Sequence, residues 1–400
     1  MKMASGEAFD LCFTGYTNRY ESAVYNGSLL RLDSLIPKYA PKLIEEMPSY
    51  AWDAAKIDGH IYAVPNLQGF APPTSVYLFK DLADKYDFDT TKVKKMEDLE
   101  PYFETLVDNE PDIIPWRLDY GVSHWTDPVW EIITSGIAIR NDGSSHKVEI
   151  IYNTKEYRDA IFTLHRWYKK GILRPDLISA GFEDAELKAG IFAGHGCGWL
   201  PGSEATAQEQ TNRSVVIVPV TEPYMSKSLS LAAMTAIGVN SKHPKEALQV
   251  IELVNTNAEL LNLLTLGIEN MHYTLDKDGK YTLIRNSGYK TTGAWNFGNQ
   301  FLAILAQGQD DDVWEETKRM NLESLKSPIL GFTLDTDKIK NEIAQVGSVI
   351  QDFGIKVAIV NNYADYGKFM AKLEEAGIYT IKDEVQRQID EYFASESKNE

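Results

Sequence analysis

The sequence has few cysteines and no long apolar run. Its 400 residues include two cysteines, Cys12 and Cys197, too few for a disulfide framework, so both are expected to be free thiols. No stretch of 18 or more apolar residues occurs, so no membrane-spanning helix is predicted. Residues 1–10 (MKMASGEAFD) lack the apolar centre of a signal peptide. Taken literally, the chain would be cytoplasmic, and Cys12 would not be a lipidation site.

Basic residues are also scarce relative to acidic ones. The chain has 40 Lys and Arg against 58 Asp and Glu, a net charge of −18. Such a surface repels nucleic acid and anionic lipid headgroups, so neither is an expected partner. The 44% apolar and 11% aromatic residues are typical of a globular protein. The length predicts two or three domains.

Motifs for catalysis and for cofactors are weak. The glycines of GHGCGWLPG (194–202) have the wrong spacing for a phosphate loop and predict a tight strand end that presents Trp199. His195 and Cys197 alternate and could form a nucleophile pair, although no orienting carboxylate is evident. Residues 276–279 (DKDG) resemble the start of a calcium loop without its distal glutamate, so a turn is predicted there. No cofactor and no metal are expected.

Hydrophobic periodicity and turn residues predict the following elements. Asp58 and Gly59 predict the two-residue turn of a β-hairpin, and Thr256 and Glu259 a capping box. Strands are predicted at 9–15, 60–64, 75–79, 214–220 and 230–239. Helices are predicted at 81–86, 96–108, 153–170, 244–254 and 256–267, and over most of 336–353 and 366–393.

Four tryptophans stand beside turn-forming or amide residues rather than in a helical stripe. They are Trp125, Trp130, Trp199 and Trp295. An indole can stack on the apolar face of a sugar ring while Asp, Asn and Gln take its hydroxyls. The pattern favours a sugar site, although each tryptophan alone could equally pack in a core.

Two carboxylates, Asp127 and Glu131, lie four residues apart in WTDPVWE. A pair of carboxylates is what glycoside hydrolysis requires. The alternative is the solvated start of a helix, with Asp127 as the cap and Pro128 in the first turn. We favour that alternative for Glu131 and keep Asp127 as a possible ligand contact.

Several segments, in this order, resemble the extracellular solute-binding proteins of ABC importers of the family 1 (sugar-type) group. Their order and spacing are more specific than any one motif, and they indicate a lipoprotein branch with an extended C-terminal region. The segments are Ala4-Ser5-Gly6 with Phe9-Asp10-Leu11, LLRLDSLIPKYAP (29–41), DGHIYAVPN (58–66), 243–273, AWNFGNQFL (294–302), SPILGF (327–332) and EVQRQIDEY (384–392).

The resemblance implies an α/β fold with two lobes, the class II periplasmic-binding-protein-like fold, joined by a hinge of crossing strands. Lobe I would comprise residues 1–70 and 232–290. Lobe II would comprise residues 71–231 and 291–400, including the C-terminal helical extension. Compared with the family, the sequence is expected to be N-terminally truncated, so that the first strands of lobe I are missing.

The function that the resemblance implies is non-enzymatic. The protein would capture a carbohydrate-like solute in an interlobe cleft and deliver it to ABC permease subunits. It would be a monomer, extracellular and attached to the cell surface by a lipid anchor in its full-length form. The alternatives are a carbohydrate-active hydrolase with paired carboxylates and a fold that has lost its binding function. The solute stays open, and a peptide is not excluded.

By position, the resemblance also implies a set of ligand-binding residues. Some follow the first strand or the crossing proline, some lie in loops of lobe II, and the last come from the late segment. They are Thr14, Tyr16, Asn18, Asn66, Gln68, Trp125, Asp127, Trp130, Trp199, Trp295, Asn296 and Gln300.

Overall fold

The computed structural model describes residues 8–16, 20–119, 121–179, 184–211, 213–361 and 365–396. The strands are β1 (Leu11–Thr14), β2 (Lys56–Ile57), β3 (His60–Ile61), β4 (Ala63–Pro65), β5 (Thr74–Phe79), β6 (Ile114–Arg117), β7 (Trp130–Thr134), β8 (Ile137–Arg140), β9 (Glu149–Ile150), β10 (Phe192–Gly198), β11 (Val215–Pro219), β12 (Tyr224–Met225), β13 (Met234–Ile237), β14 (Tyr273–Leu275), β15 (Tyr281–Leu283) and β16 (Leu325–Lys326).

The helices of the described residues lie between and after these strands along the chain. They are α1 (Tyr20–Tyr25), α2 (Ile36–Tyr39), α3 (Lys42–Glu46), α4 (Ser49–Ala55), α5 (Lys80–Lys85), α6 (Glu100–Asn109), α7 (Ser123–Thr126), α8 (Lys155–Lys169), α9 (Asp184–Lys188), α10 (Ser203–Thr211), α11 (Lys227–Ser230), α12 (Pro244–Thr256), α13 (Ala258–Leu266), α14 (Val313–Glu323), α15 (Lys340–Asn361, broken at Gly354), α16 (Tyr366–Glu375) and α17 (Ile378–Glu396).

The chain divides into two compact units. Unit 1 comprises residues 1–71 and 224–333, and unit 2 comprises residues 72–223 and 334–400. The predicted lobe boundaries differ, because they assign residues 291–333 to the second lobe. In the structure this segment is hydrogen-bonded into unit 1: the Gln300 N–H donates to Leu67 O at 2.8 Å, and the buried Asn321 amide donates to Gln68 O at 2.7 Å.

Unit 1 is built on a three-stranded sheet in the order β1-β13-β4, antiparallel throughout. Strand β1 confirms the strand predicted at 9–15. The strand predicted at 230–239 is shorter, because the short helix α11 extends to Ser230. The Ser226 side chain caps this helix by accepting from Leu229 N at 3.2 Å. Helix α12 buries Leu248 and Ile251 in a core that includes Phe70.

The cap of α13 corrects the prediction at residues 256–259. The side chain of Asn257, rather than that of Thr256, accepts a hydrogen bond of 2.8 Å from Leu260 N. The Thr256 hydroxyl instead donates to the carbonyl of Glu252, inside the preceding helix. Helix α13 therefore starts one residue later than predicted.

The hairpin predicted at residues 58 and 59 is confirmed. Asp58 has φ of 50° and Gly59 φ of 77°, as a type I′ turn requires. The strand predicted at 60–64 is divided in two, because its first half pairs with β2 and its second half, β4, pairs with β13. Pro65 ends β4 opposite Met234, where the missing proline N–H costs least.

Unit 2 contains a four-stranded sheet in the order β11-β5-β10-β6. Strands β10 and β6 are parallel, and β5 runs antiparallel to both β10 and β11. The strand end predicted within GHGCGWLPG (194–202) is confirmed, since β10 ends at Gly198 and Trp199 follows it. A Cβ at Gly194 would lie 2.6 Å from Tyr77 O and 2.7 Å from Leu78 Cδ2, so close strand packing requires glycine there.

An aromatic core packs against this sheet. Phe103, Trp116 and Trp167 contact one another with ring centroids 5.3 to 6.4 Å apart. Trp167 lies on α8, the helix predicted at 153–170, where the Thr154 side chain accepts from Tyr157 N. The predicted C-terminal helices are confirmed as α15 to α17. The hydroxyl of Tyr366 in α16 links them to the segment before α8 by donating to Tyr152 O at 2.8 Å.

Candidate functional site

Unit 1 brings Thr14 and Asn66 to the same end of its sheet. Thr14 in β1 and Pro65 in β4 both lie opposite Met234 of the central strand, so the residue after Pro65 projects at the edge where β1 ends. Thr14 is buried, and its Oγ1 has no hydrogen-bond partner among the described residues. Tyr16 is half-buried, and its N–H donates to Leu231 O at 2.7 Å. Asn18 lies outside the described residues.

The late segment 294–302 reaches this edge through Asn66. The buried Asn66 amide donates to the carbonyl of Trp295 at 2.8 Å. The Gln68 side chain is also buried, and its Nε2 lacks a hydrogen-bond partner within the described ranges. Gln300 is half-buried, and its N–H donates to the carbonyl of Leu67, the residue between Asn66 and Gln68. Three of the predicted residues, Asn66, Gln68 and Gln300, are therefore neighbours here.

Trp295 presents its ring to solvent, with 40% of the residue exposed. The adjacent Asn296 amide is engaged locally, donating to Thr292 Oγ1 at 3.1 Å and to Gly293 O at 3.2 Å. An exposed indole beside amide groups is suited to stack on a neutral ring. We name Thr14, Asn66, Gln68, Trp295 and Gln300 the unit 1 patch.

Unit 2 places Trp199 directly after the central strand β10. The Trp199 N–H donates to Pro73 O at 3.2 Å, which ties the start of the loop to the segment before β5. Its indole Nε1 donates to the Glu204 carboxylate at 3.0 Å, and the residue is half-buried. The glycine-rich stretch therefore leads to a positioned tryptophan, as predicted, and its first three glycines lie inside β10.

Trp125 and Trp130, like Trp199, each donate the indole N–H to a glutamate. The Trp125 indole donates to Glu97 at 2.8 Å, and the Trp130 indole donates to Glu156 at 2.9 Å. Trp125 also packs edge-on against Trp167, with centroids 6.0 Å apart, so it extends the aromatic core. Each of the three indoles is thus oriented by a glutamate, which limits its rotamer freedom before any ligand arrives.

The prediction of a helix start at WTDPVWE was wrong. Helix α7 ends just before Asp127, whose N–H donates to Ser123 O, and residues 130–134 form strand β7. Glu131 is buried in that strand opposite Ile139, so it does not share a helical face with Asp127. The local spacing therefore does not produce the carboxylate pair of the hydrolase alternative.

Asp127 nevertheless has a distinct environment. The Thr126 hydroxyl donates to its Oδ1 at 3.3 Å, and the Asn141 amide donates to its carbonyl at 2.7 Å. Desolvation raises the pKa of the Asp127 carboxyl above its ordinary value. The residue as a whole is exposed, so water moderates that shift.

The structure adds a cluster that sequence reasoning missed. Tyr77, His195 and Arg117 lie opposite one another on β5, β10 and β6, so their side chains share one face of the sheet. Asp119 follows two residues after Arg117, and its Oδ2 lies 3.4 Å from Arg117 Nε and 3.5 Å from His195 Nδ1. The alternation Arg-x-Asp after a strand was the available signal. Only the register, which the sequence does not show, brings His195 to it.

The cysteine of this face is not an activated nucleophile. Cys197 shares the face of His195 two residues along β10, as the alternation predicted. Burial, together with the nearby carboxylates of Asp119 and Glu204, raises the pKa of its thiol to about 12. A thiol that stays protonated at neutral pH is a poor nucleophile. Both cysteines are free thiols, as predicted.

The described residues contain no group of three or more His, Cys, Asp or Glu side chains arranged to hold a metal ion. The predicted turn at 276–279 is confirmed, because Asp276 Oδ1 accepts from Asp278 N at 2.9 Å and Lys280 N at 3.0 Å between β14 and β15. Within the described ranges, none of the helices has the length and apolarity to cross a bilayer.

Comparison with protein families identifies the C-terminal region. A family model described as a domain of unknown function (DUF3502) matches residues 328–394, the segment that forms most of α15 to α17. A curated protein of Streptococcus pneumoniae, named carbohydrate ABC transporter substrate-binding protein, is 26% identical over 97% of this chain and 80% of its own length.

Comparison with solved structures identifies the fold. The N-glycan transport solute binding protein NgtS from S. pneumoniae matches with a TM-score of 0.87 at 24% identity, over 99% of this chain and 88% of that one. The S. pneumoniae ABC-transporter substrate binding protein FusA, in complex with kestose, matches with a TM-score of 0.64 at 16% identity, over 98% of this chain and 90% of that one. These likenesses confirm the predicted α/β fold of the periplasmic-binding-protein type. The curated relative carries the name of the predicted class, a substrate-binding protein of an ABC transporter.

Proposed function

We propose that this chain, a solute-binding protein of the ABC-importer type, binds a carbohydrate and delivers it to the permease of a membrane transporter. The observation that carries the proposal is the placement of oriented tryptophans beside carboxylates and amides in both units. The curated relative named for carbohydrate transport supports it, as do NgtS complexes with Man1GlcNAc and Man5GlcNAc.

The unit 1 patch has the chemistry to hold a sugar ring. Trp295, with 40% of the residue exposed, offers its indole as a flat apolar surface for the C–H face of a pyranose or furanose. Thr14 Oγ1 and Gln68 Nε2 are buried polar atoms that have no hydrogen-bond partner among the described residues. Buried polar groups are normally paired, so a ligand hydroxyl or water is the partner that we expect.

In unit 2, the glutamates that hold the indoles also serve recognition. Trp130 and Trp199 each donate their single indole N–H to a glutamate, so the ring face stays available for stacking. The second carboxylate oxygen of that glutamate stays available for a solute hydroxyl. The rings are ordered before the solute arrives, so binding loses less side-chain entropy. Asp127 remains a proposed contact in the same unit.

The proposal fixes the expected partners and place of action. A receptor of this class presents the solute to the permease subunits of its importer and carries out no covalent step. We propose that the full-length protein works as a monomer outside the cell, attached to the membrane surface by a lipid anchor. Permease subunits are its protein partners on this proposal.

The test is a binding screen of the purified chain against mono- and oligosaccharides, followed by calorimetry. A saccharide at 100 times its Kd should stabilise the fold by about 2.7 kcal/mol. Trp295→Ala should weaken its binding at least tenfold. The matched control is Tyr379→Ala, which removes another exposed ring (44%) from α17 and should leave the affinity unchanged. Chromatography of the saccharide after long incubation should recover it intact, whereas cleavage would favour the hydrolase and overturn the proposal.

A further inference from the structure

One carboxylate oxygen of unit 2 is buried without a donor. Asp119 is held through Oδ2, between Arg117 Nε at 3.4 Å and His195 Nδ1 at 3.5 Å. Its Oδ1 is buried and accepts no hydrogen bond from the other described residues. The side chain as a whole keeps 18% exposure, which comes from atoms other than Oδ1. A desolvated carboxylate oxygen is costly when unpaired, which indicates that a bound molecule supplies the donor.

The surroundings of Asp119 restrict which protein groups can supply it. The His195 Nδ1 also lies 2.6 Å from Gly196 O, and since a carbonyl only accepts, Nδ1 carries the proton and donates it there. On the other side of His195, the ring of Tyr77 packs with its centroid 4.6 Å away. Arg117 and His195 thus hold the carboxylate through its Oδ2, which leaves Oδ1 for an external donor.

Asp119 lies where a ligand of this sheet is expected. It follows β6 by two residues, and Trp199 follows β10 by one. Strands β6 and β10 are parallel neighbours, so both residues leave the sheet at the same, carboxyl edge. In open α/β sheets, ligands bind in the crevice outside that edge. A ring stacked on Trp199 would therefore bring its hydroxyls toward Asp119.

The charge around these tryptophans is negative. Each of Trp125, Trp130 and Trp199 is bonded to a glutamate, and Asp119 adds a further carboxylate. Two cations near these groups are themselves paired with acids: Arg117 with Asp119, and Arg140, 5.6 Å from the Trp130 ring, with Asp142 at 3.0 Å. An anionic solute would meet like charge in a partly desolvated place, where repulsion is least screened.

We infer that the solute is an uncharged saccharide, that one of its hydroxyls donates to Asp119 Oδ1, and that acidic saccharides are rejected by the carboxylates around Trp130 and Trp199. This inference rests on the proposed carbohydrate function and adds the class of saccharide and one of its contacts. Arg117 and His195 are positioning residues, because they act on the solute only through Asp119.

The first experiment compares neutral with acidic saccharides by calorimetry on the intact chain. Neutral mannose-, N-acetylglucosamine- and fructose-containing oligosaccharides are tested beside uronic-acid oligomers of the same lengths. We expect a neutral compound to bind at least 100-fold more tightly than any uronic-acid oligomer, with a smaller ratio in high salt. Uronic-acid binding within threefold of the best neutral compound would overturn the inference while leaving a carbohydrate receptor in place. Binding of no saccharide would overturn the proposed function, and this inference with it.

The second experiment tests the residues. Asp119→Asn should weaken binding of the neutral saccharide at least tenfold, whereas Asp84→Asn, which removes an exposed carboxylate paired with Lys80 in α5, should not. Glu204→Gln retains an acceptor for the Trp199 indole but removes its charge. It should reduce the discrimination against uronic acids, because the affinity for these oligomers rises relative to that for the neutral saccharide. An Asp119→Asn protein that melts like the parent and binds the neutral saccharide equally well would overturn the assigned contact.

Discussion

The side-chain amide of Asn66 donates a hydrogen bond of 2.8 Å to the backbone carbonyl of Trp295, 229 residues later in the chain. This bond joins the end of β4 to the turn that carries the exposed indole of the unit 1 patch. The Thr235 hydroxyl lies 3.5 Å from the other end of the same amide, at Oδ1. Asn66 is thus a structural support of the candidate site as well as a predicted contact.

Asn66→Ala should destabilise the protein by about 1–3 kcal/mol, because it leaves the carbonyl of Trp295 without its buried donor. It should also weaken saccharide binding, since the position of the Trp295 turn depends on this bond. Urea unfolding and calorimetry measure the two effects. The matched control, Asn296→Ala, removes an amide whose bonds stay within its own turn. Equal stability of the two variants would contradict the role assigned to Asn66.

Thr14→Val should change stability in the opposite direction. The Thr14 hydroxyl is buried and has no partner among the described residues. Its replacement by a methyl group should therefore leave the free energy of unfolding unchanged or raise it by up to about 1 kcal/mol. The control is Thr265→Val, because that buried hydroxyl donates to Leu261 O at 3.0 Å and its loss should destabilise. If Thr14 contacts the solute, saccharide affinity falls in a protein that is no less stable.

Gly194→Ala should destabilise unit 2 by about 1–3 kcal/mol, the typical cost of overpacking. Its Cβ would lie 2.6 Å from the backbone oxygen of Tyr77, which strand pairing holds in place, and 2.7 Å from Leu78 Cδ2. Gly347→Ala in α15 is the control, since nothing lies within 4 Å of its Cβ position and alanine favours the helix. Thermal melts of the two variants should shift in opposite directions, and a neutral Gly194→Ala would refute the close-packing account.

Glu100 should contribute stability that depends on pH. The Arg166 guanidinium, with Lys170, lowers the pKa of the Glu100 carboxyl to about 2, and the Arg166 Nη2 bond measures 2.6 Å. A carboxyl whose pKa is lowered in the folded state stabilises the fold above its ordinary pKa, and this contribution is lost as the pH falls toward the lowered value. Glu100→Gln should cost about 1–2 kcal/mol at pH 7, after allowance for solvent screening of this surface pair. The cost should vanish near pH 2.

Urea unfolding of the parent and Glu100→Gln at pH 7, 4 and 2 measures this dependence. Glu374→Gln, which changes an exposed acid on α16, should show no comparable difference at any of these values. A Glu100→Gln cost that stays constant across the range would mean that packing, not charge, accounts for it.

Local patterns determined much of the secondary structure, because their causes lie within a few residues. The side chain of Thr154 caps α8, the helix predicted at 153–170, and positive φ at Asp58 and Gly59 forms the predicted turn. Where two local signals competed, pairing with another strand decided the outcome. Pro128 does not open a helix, because residues 130–134 pair with β8 as a strand. The resemblance to solute-binding proteins was also accessible from the sequence, since it depends on the order of motifs.

Only the tertiary structure decided how distant segments meet. The sequence by itself determined a chain of helices, strands and loop tryptophans, but not the register that aligns Tyr77, His195 and Arg117 across three strands. It did not show that Asp119 closes this row with a buried, donor-less oxygen, or that residues 291–333 belong to unit 1. The physical reason is range. Caps and periodicity act over one or two turns of chain, whereas register and burial depend on packing between residues that are tens to hundreds of positions apart.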